Sequence, residues 1–282
     1  MPRFRYVVAD VFTDTPLTGN QLAVFTDARE LDEATMQALA REMAFSETVF
    51  VLSPEAPDAD VRIRIFTPAI ELPFAGHPIL GTAFVLGGPL QKIVIRLQTG
   101  VGVVPVELER EGPRIVFGRM EQPVPTWETV ADPAPFLAAA GVERSLLPVE
   151  RYDNGPTHLY VELESPEQVA ALQPDFGALA RATESGASFF ARDGAGWKTR
   201  MFAPSHGTAE DAATGSAAGP LAVHLARHGR IPFGEEIEIS QGAEIRRPSK
   251  LYAQVDGSAD RIERVTVGGS AVVIARGELT LP

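Results

Sequence analysis

The feature that most constrains this chain is that it nearly repeats itself once. Phe66-Thr67-Pro68 returns as Phe202-Ala203-Pro204, an offset of 136 residues (202 − 66). Glu71 and Glu210, Gly76 and Gly215, Ala83 and Ala222, and Leu86 and Leu225 correspond at 139. Leu22 and Val24 correspond to Leu159 and Val161 at 137. The chain has 282 residues, so each offset is close to half its length. Solenoids repeat every 20–50 residues or so; a repeat this long implies that a whole domain was duplicated. The expected fold is therefore α+β, with two pseudo-symmetric domains. Each would be a mostly antiparallel, barrel-like sheet around a central α-helix. The expected domains are residues 1–121 and 122–282, joined at Glu121-Gln122-Pro123-Val124-Pro125, with the last strand able to pack back on the first domain.

Strand-like runs dominate between the Gly, Pro and Asp clusters: 6–12, 61–66, 92–97, 102–108, 114–117, 158–163, 237–240 and 272–275. Val61-Arg62-Ile63-Arg64-Ile65-Phe66 alternates apolar and basic residues, as a half-buried strand does. A helix is predicted from Glu33 to about Met43, capped by Asp32, with Leu31 and Met36 placed as a hydrophobic staple. Two more helices begin near Gly76-His77-Pro78 and Thr214-Gly215-Ser216. Both are apolar on nearly every face and rich in small residues, so they belong inside other structure.

Composition removes several function classes. The formal net charge is −12, which argues against nucleic acid and against an anionic membrane surface. No stretch reaches the ~18 apolar residues of a membrane helix. Residues 1–5 are followed by no apolar signal-peptide core, which points to a cytoplasmic protein. There is no cysteine, so thiol nucleophiles, disulfides and thiolate metal sites are out. His224 and His228 have i, i+4 spacing, but Leu225 stands where a zinc protease motif needs Glu. They are read as surface or packing residues, and no metal is expected.

Chemistry is expected where the two buried helices begin. A helix start carries uncapped amides and a partial positive charge, and Gly76 and Gly215 let a ligand come close. Two such starts, each preceded by an acidic residue, would hold a carboxylate in a cleft between the domains. Asp211 would cap the following helix, bind an amine or handle a proton. Ser216 would donate to a carboxylate, or simply pack. His77 occupies the matching place on the first helix. Glu47 sits among Phe45, Val49 and Phe50, where desolvation would raise its pKa into a range useful for proton transfer; a solvent-facing Glu at a strand start is the alternative.

Five segments together resemble the phenazine-biosynthesis PhzF-like family, which has a diaminopimelate-epimerase-like fold. They are residues 18–25, 45–51, 66–68 with 71–78 (Glu71-Leu72-Pro73-Phe74-Ala75-Gly76-His77-Pro78), 210–220 (Glu210-Asp211-Ala212-Ala213-Thr214-Gly215-Ser216-Ala217-Ala218-Gly219-Pro220), and 241–242 with 247–249. The resemblance implies isomerisation without a cofactor, a small-molecule substrate and a homodimer. It implies Glu47 as the acid/base, with His77 and Asp211 in the catalytic set. Gly76, Gly215, Ser216 and Asn20 would bind substrate. The epimerase relatives use paired cysteines, which this chain lacks. Ala212 and Gln21 stand where a proline is common in the family.

The leading expectation is an isomerase that moves a proton on a small carboxylate- or amine-bearing metabolite. Two other readings stay open: a non-catalytic metabolite-binding protein, and a hydrolase using Ser216, His77 and Asp211.

Overall fold

The computed structural model describes residues 2–281. The chain forms two compact units, Met1–Glu121 with Gly268–Pro282, and Gln122–Val267. Among the described residues no helix is long and apolar enough to cross a membrane.

The first unit runs β1 (Arg3–Val11), β2 (Asn20–Phe25), α1 (Glu33–Met43), β3 (Glu47–Leu52), β4 (Val61–Phe66), β5 (Glu71–Leu72), α2 (Gly76–Leu90), β6 (Val94–Thr99), β7 (Gly102–Glu111) and β8 (Arg114–Gln122). The second holds β9 (Thr126–Thr129), α3 (Ala134–Ala140), β10 (Glu150–Asp153), β11 (Thr157–Glu162), α4 (Pro166–Ala171), α5 (Phe176–Ala182), β12 (Gly186–Asp193), β13 (Gly196–Ala203), β14 (Thr208–Asp211), α6 (Gly215–Arg227), β15 (Glu236–Gln241), β16 (Ser249–Gly257) and β17 (Ile262–Gly269). The last strand, β18 (Ala271–Thr280), returns to the first unit and pairs antiparallel along β1.

The pairing order is the same in both units. β1 is antiparallel to β2, β2 parallel to β3, β3 antiparallel to β4, β4 parallel to β6, and β6 antiparallel to β7. In the second unit β10, β11, β12, β13, β15 and β16 repeat that sequence. A parallel pair needs a crossover, and helices supply it: α1 links β2 to β3, α4 and α5 link β11 to β12, and α2 and α6 are the second crossovers.

Helix α1 forms where its sequence predicts. Asp32 accepts from the Thr35 amide at 2.8 Å, and Met36, Leu39 and Ala40 pack on Phe25, Phe50 and Phe66. α2 is buried from Gly76 to Gly87, and α6 from Gly215 to Ala226. Their small residues are what let them in: a Cβ on Gly81 would lie 2.6 Å from Leu22 and Val11, and one on Gly219 would lie 2.3 Å from the Gln122 amide oxygen. Pro220 lacks an amide hydrogen, so the Ser216 carbonyl loses its helical partner. Asn154 Nδ2 donates to that carbonyl instead, at 3.0 Å.

Three short helices, α3, α4 and α5, fall in segments where the sequence predicted none. Each has only six or seven residues, too few for a 3.6-residue period to show. One sequence correspondence also shifts. Leu159, Val161, Ala187 and Phe189 belong to the core cluster that α3 and α5 cover, on the side of the sheet away from α6. Leu22 instead meets Gly81 of α2. An offset of 137 therefore matches opposite faces, because adjacent strand residues alternate. The match that preserves faces sets Asn20, Leu22 and Val24 against His158, Tyr160 and Glu162.

Candidate active site

In the first unit, Gly19 makes the turn into β2. Its φ is +69°, and a side chain there would strike the Val11 carbonyl at 2.4 Å. That turn delivers Asn20 to the start of β2, under α2. Asn20 Nδ2 lies 3.3 Å from Nδ1 of His77, and Ser46 Oγ donates to Asn20 Oδ1 at 3.1 Å. His77 is the second residue of α2. Its Nε2 lies 3.3 Å from Oε2 of Glu47, and the two side chains are 4% and 17% exposed. Four expected residues, Asn20, Glu47, Gly76 and His77, thus come together at one helix start.

Glu47 reaches this place because it heads β3 in register with Leu22, on the α2 side of the sheet. Phe50 points the other way, into the core against α1. The apolar company expected for Glu47 from its own segment is therefore partly wrong, and its main neighbour is a histidine 30 residues on. Burial pushes the His77 imidazole down to about 3, with a hydrogen bond to the Gln21 backbone working in the opposite direction. The ring is neutral at ordinary pH. Nε2 and Oε2 lie close without a hydrogen bond of good geometry, and a neutral ring forms no ion pair that would lock the charge of the carboxylate. Asn20 is spent on this ring and on Ser46, so its place is behind His77.

The second unit builds the corresponding place from different residues. Asp211 ends β14 and accepts from the Thr214 hydroxyl at 2.6 Å. Gln241 clamps the intervening turn: it accepts from the Thr214 amide at 3.2 Å and donates to the Asp211 carbonyl at 2.8 Å. Gly242, at φ +79°, lets that strand end approach, since a side chain would lie 2.5 Å from the Ala212 carbonyl. Ser216 is the second residue of α6, and its Oγ lies 3.2 Å from Nε2 of His158. Thus Asp211, Gly215 and Ser216 gather at the second helix start. His158 and Gln241 join them; Gln241 opens the last of the family-like segments, whereas no local sequence signal singled out His158. Neither α2 nor α6 has a side-chain hydrogen bond capping its first turn, so the amides of Gly76, His77, Gly215 and Ser216 can serve an anion.

The acidic residues ahead of each helix do not take part. Glu71 is held by Arg64 and Glu210 by Arg200, both through bidentate pairs. They support the scaffold, not the ligand. His224 and His228 pack as expected, His224 fully buried against Tyr160 and Phe190, and both also meet the buried carboxylate of Glu150, at 3.1 and 3.2 Å. The three ligand atoms lie close enough to hold a cation. Arg227, 2.7 Å from the same carboxylate oxygen, already supplies positive charge there. Together with the Tyr152 hydroxyl these donors hold the Glu150 carboxyl well below its usual range despite burial.

The hydrolase arrangement does not form as expected. The ring beside Ser216 is His158, and its buried Nδ1 has no hydrogen-bond partner among the described residues. A triad histidine needs a carboxylate there.

Known proteins match along the whole chain. The family profile described as phenazine biosynthesis-like protein covers residues 9–277. The trans-2,3-dihydro-3-hydroxyanthranilate isomerase of Pseudomonas aeruginosa is 51% identical over 277 residues, 98% of this chain and 99% of its own. A PhzF-family phenazine biosynthesis protein of Bacillus anthracis superposes with a TM-score of 0.86 over 100% of both chains, at 24% identity. A hydroxyproline epimerase of Agrobacterium vitis shares the fold at a TM-score of 0.71 and 12% identity, over 98% of this chain and 92% of its own. The fold is thus the epimerase-like one that the sequence motifs implied. On these matches the chain belongs to the phenazine biosynthesis-like family, and it is an isomerase.

Proposed function

We propose that Glu47 is the acid/base of this isomerase and that its substrate is trans-2,3-dihydro-3-hydroxyanthranilate, the compound for which its half-identical relative is named. The observation that carries the reading is the half-shielded Glu47 carboxylate set against a buried, neutral His77. A carboxylate in that setting takes a proton from one ring carbon as the double bonds shift. It then returns the proton to another carbon of the same molecule. Nothing is gained or lost, so no second base is needed. His77 and Asp211 serve the catalytic set as hydrogen-bonding groups. The amides of Gly76 and Gly215 and the Ser216 hydroxyl bind the carboxylate. The family resemblance adds a homodimer, to be checked by sedimentation.

The test is turnover of that compound by the wild type and by Glu47→Gln. The variant keeps the shape of the side chain and removes its basicity. Its kcat should fall by about 10²–10⁴-fold, the usual share of a general acid/base, while calorimetric binding stays near the wild-type value. An unchanged kcat would sink the assignment. Binding without turnover by the wild type would instead favour a metabolite-binding protein on this fold.

A further inference from the structure

We propose that His158 is a positioning residue for this isomerase: it donates a hydrogen bond from Nε2 to Ser216 Oγ and so leaves the serine hydroxyl as a donor for a carboxylate of the substrate. The inference rests on the reading that Ser216 binds substrate, and it adds the group that decides how Ser216 does so.

The two nitrogens of His158 are in unlike places. Nε2 lies 3.2 Å from Ser216 Oγ, and both side chains belong to buried residues. Nδ1 is buried without a hydrogen-bond partner among the described residues and faces Gly186, where a Cβ would come within 2.7 Å of it. A neutral imidazole carries one N–H and one lone pair. A buried N–H with no acceptor is rarer and costlier than a bare lone pair. The hydrogen therefore sits on Nε2, and Ser216 Oγ accepts it. Burial pushes the ring down to about 3, so it stays in this neutral form through the working range.

A serine hydroxyl has one hydrogen and two lone pairs. With His158 on one lone pair, the hydrogen is left for another acceptor. Ser216 also sits in the first turn of α6, whose amides have no side-chain cap. Hydroxyl and amides together suit an anionic oxygen and not an ammonium group. The first unit uses the same strand position the same way, because Asn20 there holds His77, the second residue of α2.

Three variants test this. His158→Leu removes the donor, and its KM should rise about ten-fold, the worth of one hydrogen bond, with kcat within about three-fold. His158→Gln, whose amide N–H reaches about as far as Nε2, should recover most of the loss. In a Ser216→Ala background His158→Leu should have no further effect. A persisting effect there, or an unaltered KM in His158→Leu alone, overturns the proposal. Nitrogen-15 spectra of the wild-type histidines, with His158 assigned by its absence from His158→Gln, decide the matter even if His158→Leu fails to fold. An Nε2–H tautomer is expected, and an Nδ1–H tautomer refutes it. Loss of turnover in Glu47→Gln leaves these spectra untouched, so the two proposals fail separately.

Discussion

At the start of α2, Asn20 holds His77 and His77 meets Glu47. At the start of α6, His158 holds Ser216, and no carboxylate stands where Glu47 does. The strand register pairs Leu22 with Glu47 and, in the other unit, Tyr160 with Ser188. Ser188 is buried and lines a small cavity beside α6. The duplication thus kept the pairing order, the buried helix and the uncapped helix start. It reassigned the side chains that face a ligand. Glu47, the proposed acid/base, has Ser188 as its register counterpart in the second unit, where the carboxylate at the helix start is Asp211 instead. With no cysteine in either unit, a two-base inversion has no second base at the matched position.

A second shared feature differs in burial, and there the largest stability effect is expected. Arg200 and Glu210 are 9% and 8% exposed, and Arg200 also donates to the carbonyls of Val169, Ala170 and Leu172 at the end of α4. Arg64 and Glu71 form the same pair at 17% and 37%. Arg200→Ala should lower the unfolding free energy by about 3–5 kcal/mol, because it strands a buried carboxylate and uncaps a helix. Arg64→Ala should cost about 0.2–1 kcal/mol. Denaturant melts giving equal losses would remove the distinction drawn here between the two units.

The two units should agree in acid. His77 and His158 each titrate near 3 when folded, because burial disfavours the charged ring. In the unfolded chain a histidine takes up its proton near 6.5. Between those values the unfolded state binds more protons, so stability is full above pH 6.5 and falls as the pH drops. Each histidine contributes about 1.4 kcal/mol per pH unit within that window. His77→Gln and His158→Gln should each remove one such contribution from the pH dependence of melts. A slope unchanged in either variant would show that its ring is protonated in the fold.

Local features were legible in the sequence, and long-range ones were not. Helix α1 could be read to its last residue because cap and apolar stripe lie within 12 residues. The buried helices announced themselves by runs of small apolar residues with no polar face. The residues named for the site do gather at the two helix starts, since the motifs mark both. The partners are another matter. Glu47 meets His77, and Ser216 meets His158, only because each buried helix start packs over a strand end distant in the sequence. Glu71 and Glu210 looked functional because they precede the helices, and their arginines lie in neighbouring strands. The one-residue slip between Leu22 and Leu159 shows the same limit, because sequence similarity does not say which face a strand residue takes.

The central claim is that Glu47 alone moves the proton. Incubation of the proposed substrate in D2O measures this directly, by deuterium appearing on carbon in the product or in recovered substrate. The wild type should incorporate deuterium to the extent that the Glu47 carboxyl, 17% exposed, exchanges with solvent before it returns the proton. Ser216→Ala should still do so at saturating substrate. Glu47→Gln should bind and incorporate none. Incorporation by Glu47→Gln at the wild-type rate would show that another group carries the proton and would contradict the account.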